Sequence, residues 1–230
     1  TGGTSSLWTI SRSFSGRTSC RPGPHTTPMR YRLNPSLSAA TLLICTAGAA
    51  ASPSFDCTRV EAGSIAERVC RDPTLSRLDR QMAGVFAAAV RKARNEHPPT
   101  LRAEQRGWIK GRDDCWKSAD VGACVAQSYE RRIAELQARY RLLPHRGPDR
   151  YACAGDARNE LLVSWFDTQP PTLYAERGDS VSLMFREAQP PAPGEVLYVG
   201  RNESLRMRPP DQLLVRWGVG AVEMACVKQP

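Results

Sequence analysis

Several features that common catalytic and metal sites require are missing from this 230-residue chain. It has only three histidines, no C-x-x-C pair and no G-x-S-x-G sequence. His97 and His145 lie in proline-rich segments without a spaced partner, which argues against a zinc site and against acyl transfer. We therefore expect a protein that is not an enzyme and that carries neither a metal ion nor another cofactor.

Acidic residues are absent from the first 51 positions, where five arginines account for five of the nine net positive charges. Residues 52–146 carry 18 basic and 12 acidic side chains, and residues 147–230 carry 9 and 11. The part of the chain expected to fold is therefore only modestly basic, and its charge is confined to the first of these two segments. This distribution argues against a nucleic-acid partner.

The chain also lacks an apolar run long enough to form a transmembrane helix. The run at 37–51 has fifteen residues, whereas a spanning helix needs about 20. Met29, Arg30 and Arg32 precede it and Ala49-Ala50-Ala51 ends it, which is the pattern of a secretory signal peptide. We predict a signal peptide at 29–51 with cleavage near Ala51, an upstream leader at 1–28 and no stable membrane span.

Two alternatives to cleavage and release remain open for this segment. The run could be retained as a membrane anchor, or Cys45 could be lipidated. The bulky Ile44 before that cysteine disfavours the lipoprotein. We therefore expect a periplasmic or secreted protein.

Six cysteines follow the predicted signal peptide, and an even number in an exported chain indicates disulfides. A Cys115–Cys124 bond would close the turn between two helices, and a Cys153–Cys226 bond would join the first strand to the last. Cys57 and Cys70 then remain, and they can pair only if the chain between them folds back. A continuous helix would hold them about 20 Å apart. The other pairings of the four cysteines between 57 and 124 stay open.

Residues 52–143 have helical periodicity. Ser64 followed by Glu67 predicts a capping box for a short helix that ends near Cys70. Asp72-Pro73 predicts the N-cap and first residue of a longer helix with apolar residues at three and four spacing. Further helices are predicted at about 101–115 and 121–140. This pattern indicates a small helical bundle stapled by disulfides.

Residues 144–149 have the composition of a linker, and from 150 to 230 the apolar period changes to two. Seven or eight short strands at about ten-residue spacing predict an antiparallel barrel or sandwich, so the fold class is α+β. The residues expected to face the core are Leu161, Val163, Trp165, Leu173, Ala175, Val181, Leu183, Phe185, Val196, Tyr198, Leu205, Met207, Leu213, Val215, Trp217, Val222, Met224 and Cys226.

Both segments contain motifs of known families. The helical motifs are Phe55-Asp56-Cys57, Glu67-Arg68-Val69-Cys70, Leu78-Asp79, Gln105-Arg106-Gly107-Trp108, Arg112-Asp113-Asp114-Cys115, and Tyr129 with Arg132-Ile133. Over residues 55–140 they resemble the N-terminal domain of LprI-type lysozyme inhibitors. Tyr151-Ala152-Cys153, the strand at 179–185, Tyr198 and Cys226 resemble the MliC-like inhibitors of c-type lysozyme over residues 150–227.

The resemblance implies an eight-stranded barrel that inserts a loop into the cleft of c-type lysozyme and inhibits it. The family's loop has a serine four residues before the tyrosine and, after a hairpin, a basic residue before glycine. Tyr198 and Arg208 match the tyrosine and the basic residue, so Gly194, Glu195, Tyr198 and Arg208 are the expected lysozyme-binding residues. A cation beside two carboxylates makes charge-assisted hydrogen bonds and displaces the water that hydrolysis needs.

The chain departs from that loop pattern at two positions. Gly194 stands where the family has serine, and Pro209 stands where it has glycine. The missing serine favours an alternative function, a non-inhibitory periplasmic binding module for an envelope protein or for peptidoglycan. If the resemblance is set aside, Arg208 is predicted to be a solvated surface residue, and Arg112-Asp113-Asp114 a solvated helix end. Trp108 and Gln105 are then predicted to have core and capping roles in a helix.

Overall fold

Helices come first along the chain and strands second in the computed structural model, which describes residues 52–209 and 212–230. The predicted leader at 1–28 and signal peptide at 29–51 lie outside the described residues. No helix in the described ranges has the length and apolar character needed to cross a bilayer.

Four α-helices form the first part of the fold: α1 (Ile65–Arg71), α2 (Pro73–Lys92), α3 (Leu101–Asp113) and α4 (Val121–Arg139). Ser64 caps α1 by accepting a hydrogen bond from the Glu67 N–H. Asp72 caps α2 by accepting from the N–H groups of Thr74 and Leu75. These side chains satisfy donors that the first helical turn leaves unpaired, and both helices begin where the sequence predicts.

The apolar faces of these helices meet in one core. Leu75, Leu78 and Met82 of α2 are buried there, together with Ile133 and Leu136 of α4. The three-and-four spacing of these residues places them on one side of each helix. Burial of this stripe is what brings α2 and α4 side by side.

The described residues contain three disulfides, two within the helical part and one within the part made of strands. Cys57 lies in a short 3-10 helix (Cys57–Arg59) that turns back toward α1, so its Cα lies 5.9 Å from that of Cys70. The Cys115–Cys124 bond closes the turn between α3 and α4. The third bond joins Cys153 to Cys226, which are opposite each other on neighbouring strands.

The second part is a closed antiparallel barrel of eight strands in which every strand pairs with its sequence neighbours. The strands are β1 (His145–Cys153), β2 (Asp156–Phe166), β3 (Thr172–Arg177), β4 (Ser180–Arg186), β5 (Val196–Val199), β6 (Glu203–Arg208), β7 (Gln212–Trp217) and β8 (Met224–Lys228). Pairing of β1 with β8 closes the barrel. Closure leaves no unpaired strand edge.

Most residues expected to face the barrel core do so, but Met207 and Val222 are exposed, Val222 because it lies in the loop before β8. Strand β4 has the opposite phase. Ser182 and Met184 are buried, whereas Val181 is 56% exposed. Phe185 faces outward, where the Arg131 guanidinium of α4 lies 4.2 Å from its ring centre. The prediction for β4 was wrong because its outer face is also apolar, and α4 packs against β3 and β4 on that side.

The segment at 144–149 that the sequence predicts as a linker is largely strand. His145 pairs with Phe166 and Arg146 with Trp165, after which the register shifts before Asp149. Gly147 occupies this bulge with a φ of 95°, and an added Cβ would lie 2.5 Å from the Val163 carbonyl oxygen. Glycine and proline here therefore mark a bulge within β1.

Loss of the Cys153–Cys226 bond should destabilise the protein more than loss of the Cys115–Cys124 bond. The sequence separations are 73 and 9 residues, so the chain-entropy model gives about 4 and about 2.5 kcal/mol. Paired serine variants compared by urea unfolding would measure the difference. Equal losses, or a larger loss for the shorter loop, would contradict this ordering.

Candidate functional site

The motif residues of the helical part converge on a buried hydrogen-bond network. The Tyr129 hydroxyl donates to Asp79 Oδ1 over 2.9 Å and accepts from Arg112 Nη1 over 2.7 Å. The Arg112 guanidinium also donates to Asp113 Oδ1 and lies 5.6 Å from the centre of the Trp108 ring. Arg112 is only 6% exposed, so reading it as a solvated helix end was wrong. Its charge is buried against two hydrogen-bond partners and an aromatic face.

Tyr129 is the centre of this network and stays protonated. Burial raises the pKa of its hydroxyl above the ordinary value, against a smaller lowering by the Arg112 charge. A neutral hydroxyl can donate to Asp79 and accept from Arg112 at the same time. The second oxygen of Asp79 accepts from the Ser54 N–H over 2.6 Å, which ties the preceding segment to α2.

A second buried pair joins α3 to α4. Gln105 Oε1 accepts a hydrogen bond from Arg132 Nε over 3.1 Å, and Arg132 Nη1 pairs with Glu135 over 2.7 Å. Gln105 and Arg132 are 9% and 4% exposed. Gln105 and Arg132 therefore stabilise the packing of α3 against α4.

Three of the four predicted lysozyme-binding residues lie at one end of the barrel. The loop between β4 and β5 carries Gly194 and Glu195, and Arg208 ends β6. Because Val196 pairs with Met207, Glu195 and Arg208 are cross-strand neighbours. Arg208 Nε donates to Glu195 Oε1 over 2.7 Å. The basic side chain proposed to enter a cleft is thus already paired within the protein.

Glu195 has a second cation nearby. Its side chain is 8% exposed, Arg206 Nη1 lies 3.8 Å from its Oε2, and that oxygen accepts no hydrogen bond. Arg208 is 42% exposed at the side chain. In the trio of Glu195, Arg206 and Arg208 the anion is buried and Arg208 is accessible. Arg206 also pairs with Glu223, so these four side chains together carry no net charge.

Gly194 and Pro209 are close neighbours at this end of the barrel. Gly194 has a φ of 79°, and a Cβ added to it would lie 3.3 Å from Pro209 Cγ. This is the left-handed region, which side chains other than glycine enter at a cost. The two positions at which the chain departs from the family loop are therefore close to each other.

Tyr198 lies inside the barrel and not on its rim. It is 8% exposed, and its ring packs edge-on against Trp165 with centroids 5.7 Å apart. Burial raises the pKa of its hydroxyl. The geometry gives Tyr198 a packing role that holds β5 against β2, while its contact with lysozyme stays a prediction.

A cavity of about 630 Å³ opens at this end of the barrel. Gly194, Val196 and Arg208 line one side, and Tyr151 and Lys228 line another. The sequence analysis did not identify Arg206 or Lys228. Their positions at this site depend on strand pairing, which a short motif does not contain. Lys228, for example, lies opposite Tyr151 only because β8 pairs with β1 and closes the barrel.

Asp149 anchors the Lys228 side of this opening. Its carboxylate accepts hydrogen bonds from Trp165 Nε1 over 2.8 Å and from Lys228 Nζ over 2.9 Å. Burial alone would raise the pKa of Asp149, but the bonds from Lys228 and Trp165 outweigh it and lower that pKa below its ordinary value. Asp149 thereby links β1 to both β2 and β8.

Comparison with known proteins identifies the helical part. Residues 57–136 match the family model described as Lysozyme inhibitor LprI. The chain is 31% identical over 86 residues to Lipoprotein LprI of Mycobacterium bovis and, equally, to that of Mycobacterium tuberculosis. No solved structure matches the chain significantly.

The likeness to these relatives is partial. The alignment covers 37% of this chain and 42% of each relative, so the chain covers less than half the length of the curated relatives it matches. The family match ends at residue 136, before the barrel begins. The MliC-like character of the barrel therefore stays a prediction, although its eight closed strands are the architecture expected.

Removal of Arg112 or of the Tyr129 hydroxyl should make the helical part of the protein easier to unfold. Arg112→Leu leaves the Tyr129–Asp79 pair without its cation and should cost about 3–5 kcal/mol. Tyr129→Phe leaves Asp79 and Arg112 without their shared partner and should cost about 1–3 kcal/mol. Urea unfolding followed by circular dichroism measures both, with the exposed Arg102→Ala as control. Losses no larger than that of the control would show that the network does not stabilise the fold.

Asp149 should make stability decline at low pH. A carboxylate whose folded pKa is lowered contributes stability above the unfolded pKa of about 3.9, and this contribution is lost as pH falls through the folded pKa. The free energy of unfolding should therefore fall less steeply below about pH 4 in Asp149→Asn than in the unsubstituted protein. Asp179→Asn in the exposed β3–β4 turn is the control. If the free energy of unfolding of Asp149→Asn fell as steeply below about pH 4 as that of the unsubstituted protein, Asp149 would not be the source of the pH dependence.

Proposed function

We propose that this protein is exported and that it binds and inhibits c-type lysozyme. The observation that carries the proposal is the match of residues 57–136 to a family described as Lysozyme inhibitor LprI. The barrel that follows resembles a second group of lysozyme inhibitors in its strand count and loop motifs. Three disulfides suit an oxidising compartment, in agreement with a signal peptide at 29–51.

We further propose that Arg208 reaches the carboxylates of the enzyme from the barrel end. Glycoside hydrolysis by lysozyme depends on two carboxyl groups, and an arginine placed between them would form strong charge-assisted hydrogen bonds. Arg208 is the accessible member of its trio, and Arg206 stays beside Glu195 when Arg208 turns outward. Glu195 is then not left buried without a counter-charge, which would be costly.

A second candidate function is supported by the same ion pair. Glu195 holds Arg208 at 2.7 Å, and a glycine replaces the serine of the inhibitory loop. Both features weaken a cleft-directed contact, so a binding module for an envelope protein or peptidoglycan that does not inhibit lysozyme is the alternative. The two functions differ in whether lysozyme is inhibited at all.

The proposal is tested by titrating residues 52–230, produced with export, against c-type lysozyme in a peptidoglycan-clearance assay. Arg208→Ala should weaken inhibition about tenfold, because it removes a charge-assisted hydrogen bond of about 1.5–3 kcal/mol. Glu195→Gln should strengthen inhibition, because it removes the charge that competes for Arg208.

The matched control is Arg158→Ala, since Arg158 is 91% exposed at the side chain and pairs with Asp156 at the opposite barrel end. No inhibition by the unsubstituted protein at micromolar concentration would favour the non-inhibitory module. Inhibition that Arg208→Ala leaves unchanged would remove the barrel end from the binding site.

A further inference from the structure

A second concave surface lies within the helical part of the protein, far along the chain from the barrel loops. This groove has a volume of about 680 Å³ and forms where α1 meets the turn before α4. Its lining includes Ile65, Arg68, Arg71, Pro73, Trp116 and Val121. We call it the Trp116 groove.

Trp116 is presented to solvent on a fixed support. Its side chain is 67% exposed, whereas the other tryptophans of residues 52–209 and 212–230 are buried or partly buried. The preceding residue, Cys115, is bonded to Cys124, and the opposite wall of the groove is held by the Cys57–Cys70 bond. An aromatic side chain on such a support loses little conformational freedom when a partner binds.

Of the described charged side chains that line the groove, Arg68 is the one available to pair with an acidic group of a partner. Glu67 pairs with Arg71 and accepts a hydrogen bond from the Gly63 N–H over 2.7 Å. Asp72 caps α2. Among the residues that the structure describes, the side chain of Arg68 has no hydrogen-bond or ion-pair partner. Glu67 and Asp72 are therefore occupied within the fold, and the exposed Arg68 side chain lines the same groove as Trp116.

This arrangement differs from that at the barrel end. Arg208 is held by a buried carboxylate at 2.7 Å, so it must exchange partners before it can bind an acidic group. Arg68 has no such competitor. Tryptophan and arginine are also the side chains that most often dominate protein interfaces when they lie together in a pocket.

We propose that the Trp116 groove is a second contact surface for lysozyme, with Trp116 as the apolar anchor and Arg68 as the cation that meets an acidic group of the enzyme. The inference rests on the proposed function. Lysozyme is favoured as the occupant because every residue that lines the groove falls within 57–136, the segment whose family is described as a lysozyme inhibitor. Arg208 is assigned to the carboxylates of the cleft, so Arg68 pairs with an acidic group of the enzyme outside the cleft through charge-assisted hydrogen bonds.

The test measures lysozyme binding by the exported chain of residues 52–230, by calorimetry, for Trp116→Ala, Arg68→Ala and the double variant. Trp116→Ala should raise Kd at least tenfold, and Arg68→Ala should raise it several-fold. Arg102→Ala, an exposed arginine on α3 outside the groove, is the control and should leave Kd unchanged. Because Trp116 and Arg68 are exposed, the variants should keep the far-ultraviolet circular dichroism of the unsubstituted protein.

The outcomes separate this inference from the proposed function. If the unsubstituted chain does not bind lysozyme, the proposed function fails and this inference fails with it. If the unsubstituted chain binds and both variants bind equally well, only the groove is excluded. If the variants keep lysozyme binding but lose binding to soluble peptidoglycan fragments, the occupant is a glycan and the inference is wrong.

Discussion

The arrangement of the helical domain depends on one hydroxyl group. Tyr129 of α4 bonds to Asp79 of α2 and to Arg112 of α3, so a single side chain fixes three helices against one another. The buried charges of Asp79 and Arg112 are tolerated because this hydroxyl serves both. These two hydrogen bonds fix the positions of α2, α3 and α4 relative to one another. The position of α3 in turn determines where the turn that carries Trp116 begins.

The same helix also carries the barrel. One side of α4 belongs to the helical core, and its other side packs on β3 and β4, where Arg131 lies over Phe185. Ala134 on α4 is fully buried as well, and a small residue lets two elements approach closely. The barrel is therefore attached along a helix that Tyr129 has already positioned, and the two candidate surfaces belong to one packed unit.

Features set by local chemistry could be predicted from the sequence, and features set by strand pairing could not. The caps at Ser64 and Asp72 involve neighbouring residues, so both helix starts were predicted. The phase of β4 was missed because apolar side chains on both faces give no alternation, and Phe185 was assigned to the wrong side. The bond between Glu195 and Arg208 depends on the β5–β6 register, which no short motif contains. The resemblance to a known family selected Gly194, Glu195, Tyr198 and Arg208 as candidate site residues. That Glu195 and Arg208 form an ion pair could be learned only from the structure.

The proximity of Gly194 to Pro209 limits which residues position 194 accepts. A serine at position 194 would have to adopt a φ near 79° and press its Cβ against Pro209 at 3.3 Å. Serine introduced there by a single substitution is therefore disfavoured while the proline is present. Glycine at position 209 would remove this close approach, so the residue at 209 controls which side chains the β4–β5 loop can carry at position 194.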